Sequence, residues 1–143
     1  MRSLIAAVLL GLGAAACAPA EQLSIRDAEF RPPLGSSGVG AGYFIITSAK
    51  PDRIVAISSS AAEAIEIHSS VTEGGMMSMK RLLSVPLPAG KSVKFAPGGL
   101  HLMVFSPRLD GTEAGLPITI ELESGLRKTV PFQILGAGEG PRS

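Results

Sequence analysis

Of the 143 residues of this chain, two are histidine and five are methionine. Apart from the initiator Met1, every one of them falls between positions 68 and 103: His68, Met76, Met77, Met79, His101 and Met103. Methionines that only fill gaps in a core scatter along a sequence, because each plugs a separate irregularity. Crowding of this kind asks for a shared task. Thioether sulfur is soft and uncharged and imidazole is borderline, a donor set that selects copper(I) over hard cations such as magnesium or calcium. Methionine also cannot be lost to a disulfide in an oxidising compartment. The expected chemistry is capture of a single soft metal ion rather than catalysis. No Gly-x-Ser-x-Gly elbow is present, and the two histidines are better used as ligands.

Strands would position these donors, because side chains at i and i+2 of a strand share a face. In Leu100-His101-Leu102-Met103-Val104, His101 and Met103 share one face, and the three aliphatic residues form the other, the core side. In Ala64-Ile65-Glu66-Ile67-His68, Ile65 and Ile67 point one way, and Glu66 and His68 the other. Both histidines thus sit opposite an aliphatic row. Phe105 shares the His101 face and would help keep water away. Glu66 has two readings, a partner that orients His68 or a solvated charge. Met76 and Met77 read as rim or cap residues near the metal, and Lys80 and Arg81 as surface charges.

The elements around them read as all-β. Runs rich in β-branched and aliphatic residues predict strands over 23–28, 41–47, 53–59, 64–68, 79–87, 92–95, 101–105, 117–122 and 127–134. Turn signals separate them, among them Lys50-Pro51-Asp52, Gly74-Gly75, Pro97-Gly98-Gly99 and Ser124-Gly125. Short strands at close spacing with Gly and Pro punctuation indicate a β-sandwich or barrel. Ser60-Ala61-Ala62-Glu63-Ala64 has good helix formers behind a serine but is short, and reads as a turn entering a strand. Residues 136–143 are Gly-rich and polar and read as a flexible tail.

The N-terminus has one positive charge, an apolar run from Leu4 to Ala16 and a small-residue exit, the layout of a secretory signal peptide over 1–16. The apolar run is shorter than the roughly 20 residues that span a bilayer. Two processing readings stand: ordinary cleavage after Ala16, or lipoprotein processing. In the second, Ala14-Ala15-Ala16-Cys17 acts as a lipobox and Cys17 is the lipidated first mature residue. Either way the chain is expected to be exported to the periplasm, anchored to a membrane only through such a lipid. Cleavage before Cys17 leaves 143 − 16 = 127 residues, divided into a linker over 17–22, a domain over 23–135 and the tail, enough for one real core. Cys17 is the only cysteine, so burial alone must hold the domain together. The formal net charge is +1 with no basic run, which gives no support to nucleic acid or an anionic membrane surface as partner.

The spacing of the donors is similar to a known motif. His68, ten residues, Met79, twenty-one residues and His101-Leu102-Met103 resemble the metal motif of the periplasmic copper chaperone family PCu(A)C. Gly75-Met76-Met77-Ser78-Met79 and Pro97-Gly98-Gly99-Leu100-His101-Leu102-Met103 resemble family phrases, as does the Ala64–His68 stretch, and the resemblance runs from about Leu23 to Ile134. It implies a cupredoxin-like Greek-key β-barrel with one copper(I) ion per chain, held at the rim by His68, Met79, His101 and Met103. It also implies delivery or retention of copper for cytochrome oxidase assembly, with a copper-accepting protein (an oxidase subunit or another copper chaperone) as partner. The chain departs from the family at Thr47-Ser48-Ala49 and Leu100 and over 105–115, without losing a ligand. Its tail has neither His nor Met, so a single site is expected.

Three functions can be set side by side. A copper(I) metallochaperone, not an enzyme, would pass its ion on by ligand exchange. Only neutral imidazole binds metal, so its affinity would weaken as pH falls through the ordinary imidazole range, about 6.5. A copper redox protein would need a Cys thiolate inside the domain, and none is there. An exported β-sandwich that binds a protein partner without metal has only the fold class behind it.

Overall fold

The computed structural model describes residues 21–142; the signal segment over 1–16 and Cys17 lie outside them. Ten strands follow in order: β1 (Leu23–Arg31), β2 (Val39–Ser48), β3 (Asp52–Ser58), β4 (Ala64–Glu73), β5 (Met76–Leu82), β6 (Val85–Leu87), β7 (Ser92–Phe95), β8 (Leu100–Phe105), β9 (Leu116–Leu122) and β10 (Arg127–Ile134). The all-β Greek-key architecture expected from the sequence is what forms. The strands run in the order β5-β4-β8-β7-β2-β1-β10-β9-β3-β6, and β8 also pairs directly with β2. Most pairings are antiparallel; β1 meets β10 in parallel at Glu29–Gln133 and Phe30–Ile134, which joins the two faces of the sandwich.

Period-two burial builds the core. In β9, Leu116, Ile118, Ile120 and Leu122 are buried while Pro117, Thr119 and Glu121 are partly exposed. Phe44 stacks on Phe95 with ring centroids 4.2 Å apart, and Phe132 meets Phe44 edge-on at 5.5 Å, geometries that aromatic quadrupoles favour. Gly40 and Gly42 in β2 leave room that the core uses. A Cβ on Gly40 would lie 2.5 Å from the Phe30 ring and 2.7 Å from the Arg31 carbonyl oxygen.

The expected strand over 79–87 is in fact two strands. The chain leaves β5 at Leu82, passes an exposed Leu83, and changes sheet so that β6 pairs with β3 at Asp52–Leu87 and Ile54–Val85. The strand expected to stop at His68 instead continues to Glu73. Residues 69–73 show no apolar alternation, so hydrophobic pattern could not reveal that extension. A two-residue turn sets it: Gly74 and Gly75 have φ of 59° and 77°, and Glu73 faces Met76 across them. Positive φ at both central residues matches the twist of a hairpin and suits glycine.

The stretch over 60–64 is a turn entering β4, as read. Beyond β10, residues of the expected tail lie back on β1. Arg142 Nε is 2.7 Å from Glu29 Oε1, and the Arg142 backbone N–H donates to Glu29 Oε2 at 2.7 Å. Glu29 is only 2% exposed, and a buried carboxylate without a cation or donor is costly. Composition alone carries no sign of this clasp.

Candidate metal centre

The β5-β4-β8-β2 ladder fixes which donors meet. His68 stands opposite His101, and Glu66 opposite Met103, in the antiparallel β4–β8 pair. On the other side of β4, Ser70 faces Met79, His68 faces Arg81 and Thr72 faces Met77. Directly paired residues share a face, and so do residues two apart on one strand. His68, Ser70 and Thr72 therefore bring Arg81, Met79 and Met77 onto the face that holds His101 and Met103. Met76 pairs with Glu73, one residue out of phase, so the alternation puts it on the opposite face of the hairpin. Its side chain is exposed, and it is separated there from the set it was read with.

The opposite face of β8 is the core. Leu102 and Val104 are fully buried, as the alternation requires. Between the β4–β5 hairpin and the β1–β2 connection lies a hollow of about 560 Å³, lined by Met77, Met79, His101 and Met103 among others. Ala41 also lines it and is paired with Met103; its small side chain keeps the hollow open. Tyr43 closes one flank, with the Arg31 guanidinium carbon 5.7 Å from its ring centroid. His68 adjoins His101 at the back, their ring centroids 6.1 Å apart and their planes tilted by 34°.

Hydrogen bonds hold both imidazoles. His101, 7% exposed, has Nδ1 3.0 Å from the Gly99 carbonyl oxygen. His68 Nε2 lies 2.8 Å from Glu66 Oε2. The other oxygen of that carboxylate is 3.4 Å from Arg81 Nη1. His68 Nδ1 is buried without a hydrogen-bond partner, an exception that calls for an explanation in a native fold. Among the described residues, no three or more His, Cys, Asp or Glu are grouped to hold a metal. Beside the two imidazoles this face offers thioether sulfur, and soft neutral donors with an orphaned imidazole nitrogen fit a soft ion.

Two contributors escaped the sequence reading. Arg81, read as a surface charge, reaches Glu66; only the Gly74-Gly75 turn, by setting the β4–β5 register, reveals that it stands opposite His68. The Gly99 carbonyl lies two residues before His101, and the sequence gives no signal of its direction.

The fold is an all-β, cupredoxin-like sandwich that presents histidine and thioether side chains on one sheet face. Residues 23–134 match the family model described as "Putative lipoprotein LpqE-like", and the chain belongs to that LpqE-like family. It is 29% identical over 141 residues to "Putative lipoprotein Lxx21020" of Leifsonia xyli subsp. xyli (strain CTCB07), covering 91% of this chain and 84% of that protein. Among solved structures, it resembles a copper-bound PCuAC domain from PmoF2 with TM-score 0.64 at 19% identity, covering 85% of this chain and 95% of that one. An apo PCuAC domain from PmoF1 matches with TM-score 0.64 at 20% identity, covering 81% and 95%. At these identities the likeness establishes the fold, the cupredoxin-like β-sandwich that the family resemblance implies.

Proposed function

We propose that this protein is an exported copper(I) metallochaperone rather than an enzyme. It holds one copper(I) ion through His68, Met79, His101 and Met103 and passes it on by ligand exchange, toward cytochrome oxidase copper-site assembly or copper homeostasis. One observation carries the reading: the strand register gathers both histidines, Met79 and Met103 onto one sheet face, where Met79, His101 and Met103 line a hollow and His68 adjoins His101. Neutral soft donors favour copper(I), and an incoming sulfur or nitrogen can replace them one at a time without proton transfer. The similar copper-bound PCuAC domain supports copper as cargo. The family and the bacterial relative, both described as lipoproteins, support export and a lipid anchor at Cys17.

The test is metal analysis with x-ray absorption on the copper-loaded mature protein. Mixed sulfur and nitrogen scattering at one copper per chain is the expected result. Unaltered copper(I) affinity in a chelator competition after the double change His101→Ala and Met103→Ala would overturn the assignment.

A further inference from the structure

We infer that Glu66 is a positioning residue that makes His68 bind the metal through Nδ1, while His101 binds through Nε2. The inference rests on the copper reading above and specifies atoms within that site. A neutral imidazole carries one N–H, and the bond made by one nitrogen decides which lone pair the other offers. A carboxylate and a carbonyl oxygen can only accept. Glu66 Oε2, 2.8 Å from His68 Nε2, therefore places the hydrogen on Nε2 and leaves the lone pair on Nδ1. The Gly99 carbonyl oxygen, 3.0 Å from His101 Nδ1, does the reverse and leaves the lone pair on Nε2. The two rings face each other across one rung of the β4–β8 ladder with opposite nitrogens available. Among the described residues, His68 Nδ1 is a buried side-chain nitrogen without a hydrogen-bond partner. A buried polar atom without a partner costs free energy, and a lone pair given to a metal offsets that cost.

Glu66 itself is withheld from the metal. It shares a rung with Met103, close enough to compete as a ligand, yet one oxygen accepts from His68 and the other faces Arg81 Nη1 at 3.4 Å. Arg81 is the diagonal neighbour of Glu66 across the β4–β5 pair, a separation that long side chains bridge. A hard anionic oxygen is thus kept occupied, and the donor set stays soft and neutral.

The experiment is nitrogen-15 NMR of the histidine side chains in the mature protein, metal-free and then titrated with silver(I), a soft monovalent stand-in for copper(I). The metal-free spectrum should show His68 as the Nε2–H tautomer and His101 as the Nδ1–H tautomer. Silver should then shift His68 Nδ1 and His101 Nε2. Glu66→Ala should give His68 a mixture of tautomers and lower affinity about ten-fold, the lower end of what the loss of such a supporting group costs. Glu66→Gln, whose amide oxygen is drawn to Arg81 and whose NH2 then donates to His68 Nε2, should shift His68 toward the Nδ1–H tautomer and lower affinity as well. A His68 Nδ1–H tautomer in the wild type, or a silver shift on His68 Nε2, overturns the inference even if the variants fail to fold. An unchanged His68 tautomer in Glu66→Ala removes Glu66 from the role. Silver that leaves both histidines unmoved defeats the metal-site reading itself, so the two failures are distinguishable.

Discussion

His68 and His101 occupy the same rung of the β4–β8 ladder, with ring centroids 6.1 Å apart. Thirty-two residues of chain separate them (101 − 68 = 33 positions), yet the sheet makes them neighbours. Their pairing fixes the rest of the candidate site, because every other donor is counted from that rung.

Register separates the methionines by role. Met79→Ala should lower copper(I) affinity at least ten-fold, whereas Met76→Ala, on the other face of the hairpin, should leave it unchanged. Chelator competition on the two variants side by side gives the answer. Equal losses would mean that hairpin alternation does not govern the site.

The hollow needs the small side chain of Ala41, which lines it and is paired with Met103. Ala41→Leu should fill that space from the solvent side of β2 and abolish copper binding while the protein stays folded. Circular dichroism with a metal-uptake assay separates the two effects.

Gly40 borders the hollow, but the space at its Cβ position belongs to the core. A Cβ there would clash with the Phe30 ring at 2.5 Å and the Arg31 carbonyl oxygen at 2.7 Å. Gly40→Ala should destabilise the fold by about 1–3 kcal/mol, the usual cost of overpacking, as read from urea unfolding. A variant as stable as the wild type would show that β2 can shift away from β1.

The clasp between Arg142 and Glu29 should matter for stability alone. Arg142→Ala leaves a carboxylate that is 2% exposed without its cation. Because the arginine itself is largely exposed, the expected loss is modest, about 1–2 kcal/mol. Copper affinity should not change. Adding Glu29→Gln to that variant should recover part of the loss, because the neutral amide needs no counter-charge.

The placement of several candidate residues is legible in the sequence. His101 and Met103 lie in a strand whose other face is Leu100, Leu102 and Val104, and the alternation gives both the element and the direction of its ligands. The same logic gave His68 through Ile65 and Ile67. It could not give the β4–β5 hairpin, since residues 69–73 and 76–81 carry no buried face and their pairing is set by the Gly74-Gly75 turn. Arg81 was unreadable for that reason, and Met76 could not be told apart from Met77. The break at Leu83 was hidden too, because an apolar residue there continues the pattern of a strand that the chain has already left.

The Gly74-Gly75 hairpin has one more consequence. β5 is the outermost strand of the sheet and is paired to β4 alone, whereas β8, which carries His101 and Met103, is flanked by strands on both sides. Met79 is 58% exposed and His101 7%. The cradle thus has a fixed jaw and a loose jaw. On the copper reading, an acceptor approaching from solvent would meet the Met79 sulfur first, and the ion would change hands across the loose jaw while the histidine pair still gripped it.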